Sequence, residues 1–298
     1  MQNVTRRTPI IGFVRYSQKV KFGNQEIERN VFEPEYFEYR FNIFKEVTLK
    51  SFQQQTNSDF VLLLLHSENM PEDYKKRFLE LENENIFLRN VFVQDTQGSF
   101  DEAISRSFQY ISFQENVAIT FRIDNDDAVP NNFIENLGLF LNPSFVGSCL
   151  NLPYILIVKR VKTDQYLVET RYYPSNSIGL AYVTTENKFK TILEVNHHHL
   201  INEKTNLILL AKDSGMPIQT INGENEVNSV NESASKSFTE KTLQDFFKGN
   251  NYENINLKCL KVLNNKKTRS LKDMVFLFTP PIVKTVALKV KSFITEEK

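Results

Sequence analysis

Apolar positions along the first half of the chain fall into two alternating rhythms. Residues 10–16 (IIGFVRY) are a short run of β-formers and predict a strand. Over 36–55, Phe37, Phe41, Phe44 and Phe52 recur at three-, four- and eight-residue spacings, which gathers them on one face of a helix. Residues 59–65 are nearly all apolar, short enough for a strand buried on both faces. Pro71 opens a second helix with acids in its first turn. A third strand is predicted over 86–93. Ser99 and Glu102 form a capping-box pattern ahead of a helix carrying Ala103, Ile104, Phe108 and Ile111. Residues 117–123 (VAITFRI) predict a fourth strand, with a short helix following over roughly 131–140.

Strands alternating with helices predict an α/β fold, with a mostly parallel central sheet and helices on both faces. Ligands on such sheets bind at the carboxyl ends of the strands. The fourth strand runs straight into Asp124-Asn125-Asp126-Asp127, so the acidic cluster stands where a ligand is expected. Beyond about residue 145 the rhythm changes. FVGSCL, YILIVKRV and QYLVETRYY read as strands, and 222–237 has so few apolar residues that it reads as a flexible loop.

Composition narrows the function classes. The 298 residues are 41% hydrophobic and 24% charged, which suits a domain with a real core. The formal net charge is zero, so no nucleic-acid partner is expected. Its distribution is uneven: 261–298 carry nine Lys/Arg against three Asp/Glu, a net of +6 balanced by −6 on the rest. That sets a basic C-terminal tail, expected to be helical, apart from a domain spanning 1–260. The two cysteines, Cys149 and Cys259, have no metal-ligand spacing and read as reduced and structural. The longest apolar run is VLLLL at 61–65, and the N-terminus has no signal-peptide core, so a cytoplasmic protein is expected.

Three carboxylates within four residues repel one another unless a cation or basic partner neutralises them. An oxygen-rich set suits Mg²⁺ or Mn²⁺, which use one or two carboxylates together with substrate phosphates. That makes Asp124, Asp126 and Asp127 candidate metal ligands. Three other readings compete. A turn rich in helix-capping Asp is one. A calcium loop of EF-hand type fits poorly, because Val129 stands where Gly is needed and a strand leads in; only Glu135 matches. A phosphatase with an aspartyl nucleophile would also follow a strand.

The stretch 39–71 (YRFNIFKEVTLKSFQQQTNSDFVLLLLHSENMP) followed by 121–137 (FRIDNDDAVPNNFIENL) resembles a bacterial family of rhamnosyl transferases. The matching positions are Arg40, Phe41, Ser51, Gln55, Arg122, Asp124, Asp126, Asp127 and Ala128. Two positions depart from the family's pattern. Asn125 stands where the family has another Asp, and Asn222 stands where it carries a His.

The resemblance implies a GT-A-like glycosyltransferase. Residues 1–140 would form the nucleotide-sugar half and 141–260 the acceptor half. It implies a Mn²⁺ or Mg²⁺ cofactor, a donor of UDP or dTDP type, rhamnose as the suggested sugar, and a bacterial surface glycan or glycolipid as acceptor. Arg15, His66, Arg122 and Asp124 are then candidates for donor binding, each weighed against an ordinary structural role. His197, His199 and Asn222 are candidate phosphate or metal contacts. Asp213 and Glu194 are candidates for a catalytic base by position alone. The basic tail reads either as a peripheral contact with the inner membrane or as a helix packed on the domain. The competing function class is a nucleotide- or glycan-binding domain that keeps the fold without catalysis.

Overall fold

The computed structural model describes residues 6–17, 31–94, 99–174, 176–195, 206–211, 214–223 and 230–263. These belong to one compact unit that ends at Leu263. The tail from residue 264 onward, expected to be helical, lies outside the described residues.

A seven-stranded sheet forms the centre. Its strands are β1 (Ile10–Arg15), β2 (Val61–Ser67), β3 (Leu88–Val93), β4 (Val117–Asp124), β5 (Ser148–Asn151), β8 (Leu180–Thr185) and β9 (Asn206–Leu209), in the order β3-β2-β1-β4-β8-β5-β9. Only β8 runs against its neighbours. The expected mostly parallel α/β architecture is therefore present. All seven residues of β2 are buried, as a strand covered on both faces requires.

Helices cover both faces. On one, α1 (Pro34–Ile43), α3 (Glu72–Glu84) and α5 (Phe133–Gly138) supply Phe37, Phe41, Phe78, Phe133 and Leu137 to a core with Ile10, Val14, Leu62, Leu64 and Phe121. On the other, Ala103 of α4 (Ser99–Ser107) joins Ile11, Phe13, Leu63 and Leu65. Gly12 leaves room for the side chains of the strands on either side of it: a Cβ there would lie 2.2 Å from Phe121 and 2.7 Å from Leu62.

One helical reading changes in detail. The phenylalanine-faced helix continues past α1 through a π-helical stretch (Phe44–Leu49) into α2 (Lys50–Gln53). Phe37, Phe41, Phe44 and Phe52 are all buried as expected. The capping-box reading turns on the Ser99 side chain, which lies outside what the structure describes. The helix begins at Ser99, and the Glu102 carboxylate accepts from Arg106 and from the Gln94 N–H.

A second, four-stranded sheet comprises β6 (Tyr154–Lys162), β7 (Gln165–Tyr172), β10 (Ile218–Ile221) and β11 (Lys236–Phe238), ordered β10-β6-β7-β11. It packs against α6 (Glu240–Lys248), residues 252–260, and Ile43 and Val47 of the long helix. This corrects the reading of 222–237 as a loop throughout: Lys236–Phe238 pairs antiparallel with β7, while 224–229 lie outside the described residues. The two sheets meet at an antiparallel bridge between Ala128 and Ile218, four residues past the end of β4 in one case and at the start of β10 in the other. The acidic cluster sits in that seam.

Candidate active site at the seam between the sheets

The loop that follows β4 is tied down from three directions. The Thr48 hydroxyl, in the π-helical stretch, donates to the Asp127 carbonyl at 2.8 Å. From β10, the Thr220 hydroxyl donates to the Asp126 carbonyl at 2.7 Å. Downstream, Gln55 donates to the Pro130 and Ser51 carbonyls and accepts from the Ile134 N–H. The family-matching Ser51 and Gln55 thus clamp the acidic loop to the end of the long helix.

The three carboxylates held by this frame diverge. Asp124 lies 3.5 Å from Arg122 and 3.6 Å from Arg15, and its side chain remains 40% exposed. Arg122 shares its strand face, as the alternation of β4 predicts, and Arg15 stands opposite it in the β1–β4 register. Burial alone would raise the Asp124 pKa, but Arg122, Arg15 and Arg40 outweigh it and hold the carboxyl below its ordinary value. Asp126 accepts from the Asn222 amide at 2.8 Å. Asp127 is buried and accepts from the Thr220 N–H at 3.4 Å. Burial, with Asp126 and Asp124 nearby, pushes its carboxyl well above the ordinary range.

This geometry revises the expected metal set. Among the described residues, no three His, Cys, Asp or Glu side chains converge in a way that would hold a metal. Asp127 departs from the trio because it is directed to the backbone of β10. Asp124 and Asp126 are left half-exposed at the strand end. Two carboxylates with substrate phosphates and water suit Mg²⁺ or Mn²⁺; a three-carboxylate cage is not what this loop builds.

Arg40 is the residue that sequence reasoning did not place in the site. Its guanidinium donates to the Tyr36 hydroxyl at 3.1 Å and to the Asn125 side-chain oxygen at 2.5 Å, and lies 5.6 Å from the Tyr16 ring centroid. The signal was present, since Arg40 is one of the family-matching positions. Its contact with Asn125 spans 85 residues, and no local pattern reports such a contact. The two departures from the family's pattern, Asn125 and Asn222, thus face Arg40 and Asp126 respectively.

The other expected residues fall elsewhere. His66 does not line a nucleotide pocket: it is fully buried among Tyr16, Phe78 and Phe92. Burial drives its pKa down to about 3, although its hydrogen bond to Asn90 works the other way. Glu194 is not brought to the cluster. Its carboxylate accepts from the Thr191 N–H and hydroxyl, and the adjacent Ile192 N–H bonds Thr120 in the middle of β4, away from the strand's carboxyl end. Asp213, His197 and His199 lie outside the described residues.

Among solved structures, S. aureus TarS 1-349 in complex with UDP is 14% identical, with a TM-score of 0.41 over 72% of this chain and 61% of that one. S. aureus TarS 1-349 is 10% identical, with a TM-score of 0.30 over 51% and 35%. The inositol-1-phosphate CTP transferase from T. maritima is 15% identical, with a TM-score of 0.27 over 74% and 86%. This chain therefore spans 35% and 61% of the two TarS structures. No curated protein matches it. The family model described as "Putative rhamnosyl transferase" matches residues 9–234, a span that contains the acidic loop, its three arginines and its Gln55 clamp. Because that match runs over most of its length, the chain belongs to this rhamnosyl transferase family.

Proposed function

We propose that the protein is a GT-A-like glycosyltransferase that takes a sugar, rhamnose by family label, from a nucleoside-diphosphate donor of UDP or dTDP type. The acceptor is a bacterial surface glycan or glycolipid. The observation that carries this reading is the pair of half-exposed carboxylates, Asp124 and Asp126, at the carboxyl end of β4, ringed by Arg15, Arg122 and Arg40. Family membership points to sugar transfer, and the strand-end position is where open α/β sheets receive ligands.

Asp124 and Asp126 are the residues that would hold Mn²⁺ or Mg²⁺. When bound, such an ion neutralises charge on a departing diphosphate. The chain's own contribution is positional. Arg15 and Arg122 fix Asp124 from two strands, Asn222 orients Asp126, and Thr48 and Thr220 fix the loop backbone between the sheets.

Titration with UDP and dTDP, with and without Mn²⁺, tests the proposal. At least one nucleotide binds more tightly with the ion, and Asp126→Ala removes that increment while leaving the melting temperature nearly unchanged. Equal affinity with and without Mn²⁺ for both nucleotides defeats the metal-dependent reading. Turnover of a panel of sugar nucleotides then separates an enzyme from a binding domain. The second reading draws on Asn222, a neutral amide that occupies an Asp126 oxygen.

A further inference from the structure

We infer that Arg40, Asn125 and Tyr16 form a phosphate-binding subsite at the carboxyl ends of β1 and β4. That the phosphate belongs to a nucleoside-diphosphate donor rests on the proposed function; the subsite itself rests on three observations.

Arg40 has no carboxylate in direct contact; Asp126 and Asp124 act on it only from farther off. Its hydrogen-bond partners among the described residues, the Tyr36 hydroxyl and the Asn125 side-chain oxygen, are both neutral. Arg15 and Arg122, by contrast, share Asp124. Among the described residues no carboxylate lies within ion-pair distance of Arg40. A guanidinium drawn out of water with no carboxylate in contact is costly, and a bound anion lowers that cost.

Two buried donors beside it are also unused. Asn125 is 4% exposed and Tyr16 5%, yet the Asn125 amide nitrogen and the Tyr16 hydroxyl have no hydrogen-bond partner. An unsatisfied buried polar group costs roughly 1–3 kcal/mol, so each of these donors calls for a partner. Asn125 cannot escape by turning its amide over, because Arg40 requires the oxygen where it stands.

The third observation is adjacency. Tyr16 follows β1 directly, Asn125 follows β4 directly, and the Arg40 guanidinium bridges them, bonded to one and lying over the ring of the other. All the unused groups can donate: guanidinium N–H, amide N–H and phenol O–H. Such a set selects an acceptor-only, multiply charged group, and the planar guanidinium fork matches phosphate. Arg15 and Arg122 extend the same positive border along the strand ends.

Calorimetry with inorganic pyrophosphate, on the full chain, tests the subsite without any assumption about the nucleotide. Wild type binds. Arg40→Met weakens binding by about tenfold or more, the usual order for losing a charge-assisted hydrogen bond, and Arg40→Lys restores part of it. Asn125→Asp is the more stringent variant, because it is isosteric and gives Arg40 an internal counter-ion. It weakens pyrophosphate by about tenfold while leaving the melting temperature equal to wild type or higher. No binding of pyrophosphate by wild type overturns the inference, as does undiminished binding by a folded Asn125→Asp protein. If pyrophosphate binds through Arg40 but neither UDP nor dTDP binds, the donor reading fails and the subsite stands. If a nucleotide binds with Mn²⁺ but pyrophosphate ignores Asn125→Asp, the subsite fails and the donor reading stands.

Discussion

His66 shows how far a single residue's position in the sequence misleads. It follows an apolar strand at a ligand-facing end, yet its side chain belongs to the aromatic core. Asn90 donates its amide to the Phe78 carbonyl and Glu82, so its oxygen faces His66 and fixes the Nε2–H tautomer of a neutral ring. The folded pKa of about 3 lies below the ordinary value of 6.5. Between those values the unfolded chain takes up a proton that the folded chain refuses, so stability rises with pH across the window and is lost as pH falls through it. At pH 5 the loss is about 2 kcal/mol from this residue alone. Urea midpoints at pH 7 and pH 5 should therefore converge in His66→Gln; an equal acid shift in both proteins would rule this out. The acidic run itself was readable, because three charges in four residues are a local fact. The roles of Asn125 and Asn222 were not, because Arg40 and Asp126 lie 85 and 96 residues away from them.

At the scale of the element, the phenylalanine periodicity foretold the long helix and the face it buries. It carried no sign of the π-helical stretch, which rests on tertiary contacts: Thr48 spends its hydroxyl on Asp127, while Ser51 takes the Thr48 carbonyl. Gln55 is the joint between this helix and the acidic loop. Gln55→Ala deletes three hydrogen bonds and strands the buried Ile134 N–H, for an expected loss of about 2 kcal/mol. It should also weaken Mn²⁺-dependent nucleotide binding, since the loop loses its downstream anchor. Denaturation together with nucleotide titration reads both effects, and a stable variant with unchanged titration would show the clamp to be dispensable.

For the whole molecule, the parallel sheet was foreseeable because its strands are apolar runs separated by amphipathic helices. Of the second sheet, β6 and β7 were readable as strands, but β10 and β11 were not, since they have only four and three residues and carry no rhythm of their own. Among the described residues no helix is long and apolar enough to cross a membrane. The segment 264–298 still holds eight Lys/Arg against three acids. If that charge docks on an anionic surface, the full chain should sediment with vesicles rich in phosphatidylglycerol, where each basic residue contributes about 1 kcal/mol, and a chain ending at Leu263 should stay in solution. Equal sedimentation of both would assign the charge to another purpose. The Ala128–Ile218 bridge has a different kind of consequence. Because the acidic loop is the fastening between the two sheets, neither sheet can melt and leave the loop intact. Partly unfolded forms are then incapable of binding, and a ligand that grips the loop raises the melting of both sheets together, as a single cooperative transition.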